Sequence, residues 1–151
     1  MSRLGRIMLL LHAAELPRFA SIEAATESLI KRKDAVLSEI ASIPELSKIL
    51  DFSPESLKDL EKWYFLSGKP DKTLSGTPVE LLIGFYFGEV LCRHGGYQWK
   101  VVEGSLSEDG YEIVVNKRLV TFVLNNGWTP REPEFNNKRM QSLWRDFNRY
   151  A

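Results

Sequence analysis

Cysteine is almost missing from this chain. Cys92 is the single one, so no disulfide framework can form, and the expected compartment is reducing, that is, cytoplasmic. Histidine is nearly as scarce: His12 and His94 lie in different parts of the chain. No H-E-x-x-H, paired C-x-x-C or EF-hand acid pattern occurs, so no metal site and no cofactor are expected. There is no G-x-S-x-G elbow and no G-x-G-x-x-G turn after a strand. The fragment Ser67-Gly68-Lys69-Pro70 lacks the first glycine of a phosphate loop and the hydroxyl residue that must follow its lysine.

Net charge is also missing. Twenty basic and twenty acidic side chains cancel, with eleven of each up to Gly76 and nine of each after it. A nucleic-acid binder is therefore not expected; that reading needs Lys138, Arg139, Arg145 and Arg149 to form a continuous stripe. No apolar run approaches the roughly 20 residues of a membrane span. At the N-terminus Arg3 and Arg6 precede Ile7-Met8-Leu9-Leu10-Leu11, which mimics a signal peptide. The run is short and broken by His12, so a buried strand or helix turn is the expectation.

What is present is ordinary globular material, 44% hydrophobic and 26% charged. At this length a single domain over 1–151 is expected. Its centre is the stretch 77–101. Thr77, Pro78 and Glu80 read as an N-cap, a first-turn proline and a capping box. The helix should run to His94 and stop at a left-handed Gly95. It is apolar on every side, the mark of a buried helix. Gly84 and Gly88 share one face and imply close approach by another backbone or a large ring. Glu89 is the one acid in the middle of the helix, one turn before Arg93. It reads either as a core-edge ion pair or as a catalytic acid.

Before this stretch the pattern is helical. Ile22, Ala25, Leu29, Val36, Ile40 and Ile43 form one stripe of a helix over 19–43, capped by Ser21. Lys31-Arg32-Lys33 reads as a solvated face. Pro44 opens a short helical turn. Ser53-Pro54 opens a helix to Leu66 that buries Leu57, Leu60, Trp63 and Tyr64. Residues 67–76 read as an exposed loop. After the centre, strands follow at 97–103 and 111–115, with Trp99, Val101, Ile113 and Val115 facing inward. Residues 118–124 read as a third strand, with a helix as the alternative. A helix from about Asn137 to Tyr150 carries Met140, Leu143, Trp144 and Phe147 on its apolar face. The expected fold class is α+β: N-terminal helices, a long buried central helix, a small antiparallel sheet of about three strands, and a C-terminal covering helix.

Two surfaces suggest recognition. Glu103, Glu108, Asp109 and Glu112 surround the first hairpin, with no lysine or arginine between Lys100 and Lys117. Such a loop can steer a basic partner. Trp128, Arg131, Phe135, Trp144 and Arg145 form an aromatic and basic set of the types favoured at binding hot spots.

The run Gly84-Phe85-Tyr86-Phe87-Gly88-Glu89-Val90-Leu91, followed by Gly95-Gly96-Tyr97-Gln98-Trp99, resembles a pattern in small uncharacterised bacterial α+β domains. Some of these are similar to immunity proteins of bacterial toxin systems. The resemblance covers residues 77–101 and implies structural roles for Gly84, Gly88, Glu89 and Trp99. The resulting expectation is a non-enzymatic protein-binding module, in its specific form an immunity protein that presents Glu103, Glu108, Asp109 and Glu112 to a basic toxin domain. The alternative is a small enzyme or ligand-binding domain using Tyr86, Glu89 and Arg93 in a cleft.

Overall fold

The computed structural model describes residues 17–104, 110–131 and 141–151. The elements are α1 (Ile22–Glu39), a 3-10 turn (Ile40–Ser42), α2 (Pro44–Ser47), α3 (Ser56–Leu66), α4 (Val79–His94), β1 (Gln98–Glu103), β2 (Tyr111–Lys117), β3 (Val120–Val123) and α5 (Ser142–Tyr150). The class is α+β, with helices before and after one antiparallel three-stranded sheet in chain order, the strands running β1-β2-β3 across it. The expected N-terminal segment with His12 lies outside the described residues.

Helix α1 starts at the expected cap, where the Ser21 hydroxyl accepts from Ala24 N at 3.1 Å. Its stripe buries Ala25, Leu29, Val36 and, in the following turn, Ile40; Ile22 stays exposed. The helix is α only to Glu39 and tightens to a 3-10 turn before Pro44, because a residue before proline is pushed out of the helical region. The basic run is not uniformly solvated: Lys31 and Arg32 are exposed, but Lys33 is buried, pairs with Asp34 at 2.6 Å and lies 5.2 Å from the centre of the Trp99 ring.

Helix α4 is buried on nearly all sides, from Val79 to Leu91. Its start differs from the expected capping box. Pro78 is the N-cap and makes no side-chain bond. The Thr77 hydroxyl instead donates to Glu39 Oε2 at 2.6 Å. The helix stops at Gly95 with φ of −110°, and the left-handed residue is Gly96 at φ +77°. The two helical glycines do admit close neighbours. A Cβ on Gly84 would lie 2.6 Å from the Gly127 backbone, and one on Gly88 would lie 2.7 Å from the Trp99 ring and 2.6 Å from Leu124.

The third segment is a strand. Arg118 turns left-handed at φ +54° and a two-residue loop returns the chain, pairing Lys117 with Val120. Beyond β3, Asn125 continues the pairing with its side chain: Oδ1 accepts from Ile113 N at 2.5 Å and Nδ2 donates to Tyr111 O at 3.1 Å. Gly127, at φ +85°, then folds the chain onto α4, where Trp128 N donates to Glu80 O at 3.0 Å.

Helix α5 begins at Ser142, since Gln141 is already non-helical at φ −133°. The expected earlier start at Asn137, and Met140 with it, is outside the described residues. The fully buried Glu61 of α3 fixes this helix start. Its carboxylate accepts from Ser142 N and Leu143 N, each at 2.9 Å, and from the Ser142 hydroxyl. These are the free donors of a helix N-terminus, held by an acid from another element rather than by a local cap.

Candidate functional site

Tyr86, Glu89 and Arg93 lie along one side of α4, three and four residues apart. Tyr86 is fully buried. Its oxygen accepts from Phe52 N at 2.8 Å, and it lies 2.6 Å from the Ser56 hydroxyl. Ser56 spends its own proton on Ser53 O at 2.6 Å, so Tyr86 donates to Ser56. Burial pushes the Tyr86 phenol up, away from neutral-pH proton transfer. Glu89 Oε1 accepts from the Trp99 indole at 2.9 Å, and Oε2 accepts from Arg93 Nε at 3.1 Å. Arg93 also lies 4.0 Å over the Phe52 ring, which in turn stacks on Tyr86 at 4.8 Å. The trio ties α4 to the segment before α3 and to β1. Next to it, burial first and Glu89 second push the Cys92 thiol up to about 12, which leaves it unreactive as a nucleophile.

The acidic hairpin is divided by its register. Glu103 pairs with Tyr111, and Val102 with Glu112. Directly opposed residues share a face and successive residues alternate. Glu103 therefore belongs to the side that carries Tyr111, Ile113 and Trp99. Glu112 belongs to the opposite side, with Lys100 and the buried Val114. Glu103 is exposed and Glu112 half-buried. Glu108 and Asp109 lie outside the described residues.

The aromatic and basic set is largely spent internally. Trp128 stacks on Phe87 at 5.5 Å, and Lys58 lies 4.0 Å over Trp144. Arg131 pairs with the buried Asp146 at 2.8 Å, which raises the pKa of its guanidinium further. Arg145 and Arg149 are exposed, whereas Phe135, Lys138 and Arg139 are outside the described residues.

A cleft opens between the end of α1, α2, α3 and loop 67–78. It encloses about 560 Å³, a size suited to a side chain cluster or small ligand, and Ile43, Pro44, Trp63, Pro70 and Val79 form its apolar wall. One wall is held by a single carboxylate. Glu39 accepts from Thr73 Oγ1 at 2.5 Å, from the Ser75 hydroxyl, and from Thr77 Oγ1 at 2.6 Å. Burial alone would raise the pKa of Glu39, but the three hydroxyl bonds outweigh it and hold the group below the usual carboxylate range. Sequence reading missed this arrangement and the Glu61 one. The only local signal was the alternation of hydroxyls at 73, 75 and 77, which also suits a plain turn.

Among the described residues no cluster of three or more histidine, cysteine or acidic side chains could hold a metal ion, and no helix is long and apolar enough to cross a membrane. Fold and site together define an α+β protein whose candidate acid–base groups are engaged as structural ties. The chain belongs to the family whose model is described as "Uncharacterised protein YwmA", which matches residues 18–151. No curated protein and no solved structure matches it.

Proposed function

We propose that the protein is a non-enzymatic protein-binding module, in its specific form an immunity protein that covers a basic toxin domain. One observation carries this reading. The polar groups that could have served catalysis on α4 are each committed: Tyr86 to Phe52 and Ser56, Glu89 to Trp99 and Arg93. The end of the β1–β2 hairpin is the proposed contact, since residues 101–116 hold acids and no base. Glu103 and Glu112 lie on opposite faces of it, which suits a wedge entering a basic cleft better than a flat patch.

The test is binding to the product of the neighbouring reading frame. Co-purification with a toxin-type protein is the expected result, and a metabolic enzyme as neighbour would remove the immunity reading. Lysine at Glu103, Glu108, Asp109 and Glu112 together should slow association by at least about tenfold at low salt and flatten its salt dependence. An unchanged association rate would remove the hairpin as the contact.

A further inference from the structure

Loop 67–78 is where an exposed apolar side chain and an apolar recess stand side by side. Its conformation is fixed from several directions. Gly68 and Lys69 turn left-handed, and Lys69 N donates to Tyr64 O at 2.9 Å. Lys72 and Pro78 form an antiparallel bridge, Thr73 N donates to Thr77 O at 2.8 Å, and Val79 N donates to Asp71 O at 2.9 Å. Thr73 and Ser75 both reach inward to Glu39. The residue between them, Leu74, is thereby turned outward and stands fully exposed. A leucine on a tied loop gives up little conformational freedom when a partner covers it, the condition that makes an anchor effective.

We propose that this patch is a self-complementary contact between two copies of the chain, each inserting Leu74 into the other's cleft. Leu74 rims the same cleft whose wall is Ile43, Pro44, Trp63 and Pro70. A projection beside a recess on one patch is matched by itself under a two-fold rotation, since every contact is then made twice. The charges agree. Glu45 and Lys72, both exposed, line this cleft with opposite signs. A two-fold axis passing between them would set Lys72 of each copy against Glu45 of the other. A partner of one sign would meet repulsion from one of the two. Glu39 takes no part in this pairing, because its oxygens are occupied by the three hydroxyls. The patch is small beside the roughly 1,200–2,000 Å² of a stable interface, so the dimer is weak and concentration-dependent. The inference is independent of the immunity reading.

Sedimentation of the full chain between about 10 µM and 1 mM tests it. The mass should rise from one chain towards two, and Leu74→Asp should stay monomeric with an unchanged melting temperature. Lys72→Glu and Glu45→Lys should each weaken dimerisation by about three- to tenfold, and the combined charge swap should restore it. A wild-type chain that stays monomeric at the highest concentration would overturn the proposal. So would a Leu74→Asp protein that dimerises normally, or a combined swap no better than the single changes.

Discussion

Helix α4 and the loop leading into it are neighbours in sequence held by opposite means. The helix is fixed by burial: Val79, Leu81–Phe87, Val90 and Leu91 are all inside. Apolar attraction is non-directional, so its sequence signal sits within the helix itself and needs no knowledge of the partner. The loop is fixed by its own backbone bonds and by one carboxylate that arrives from α1, 34 to 38 residues away. That tie is directional and split between two segments. Neither half stands out: Glu39 looks like any helix-surface acid, and Thr73, Ser75 and Thr77 look like turn formers. Glu61 and the start of α5 repeat the case across 81 and 82 residues.

The largest expected effect breaks the buried side of the comparison. A Cβ on Gly127 would lie 2.1 Å from Glu80 O, and the residue is left-handed as well. Gly127→Ala should destabilise by at least about 3 kcal/mol in chemical denaturation. Gly68 is equally left-handed but meets nothing within 4 Å. Gly68→Ala should therefore cost only the backbone strain, about 1–2 kcal/mol. Equal losses at the two sites would mean that close packing on α4 contributes nothing.

Next comes Glu61, a directional tie that is fully buried. Glu61→Ala leaves two backbone donors of α5 and the Ser142 hydroxyl without their acceptor, and should cost about 3 kcal/mol. Loss of amide-exchange protection in α5 before the rest of the chain would identify the mechanism. A uniform loss would not fit a local tie.

This contrast explains what could be read in the sequence. The α+β class, the Ser21 cap, the glycine face of α4, and the inward Trp99, Val101, Ile113 and Val115 all follow from period, capping and glycine spacing. The 118–124 segment was ambiguous because a short apolar run fits two periods; pairing with β2 decides it. The capping box at Thr77 fails because the helix starts one residue later, with Pro78 at the N-cap, while the Thr77 hydroxyl is turned to Glu39. The four-acid surface was legible as composition, but the register that separates Glu103 from Glu112 was not. The cleft was illegible, since it exists only between segments that touch through tertiary pairing.

Glu89 lies between the two kinds of tie, on the buried helix but at its half-buried edge. Glu89→Gln keeps an oxygen to accept from Trp99 Nε1 and loses the charge pairing with the exposed Arg93. It should cost about 1 kcal/mol or less, with no change in partner association. A fully stable Glu89→Gln protein that no longer performs its function would return the active group to α4.

The smallest effect sharpens the loop side. Glu39→Gln retains a carbonyl that can accept from one or two of the three hydroxyls, so the loss near neutral pH should be about 1 kcal/mol or less. Its pH dependence is the more telling quantity. The folded-state pKa of Glu39 is depressed, so its contribution is fully present above the ordinary glutamate range and is lost as pH falls through the folded value. The stability difference between wild type and Glu39→Gln should therefore be flat from neutral pH down to about 5 and shrink below about 4. Other carboxylates titrate in both proteins and cancel in the difference. A difference that stays constant down to low pH would show that the loop is held by its backbone bonds and not by the ionised acid. If the clasp is what presents Leu74, the same substitution should also weaken the dimer while leaving every residue of the contact unchanged.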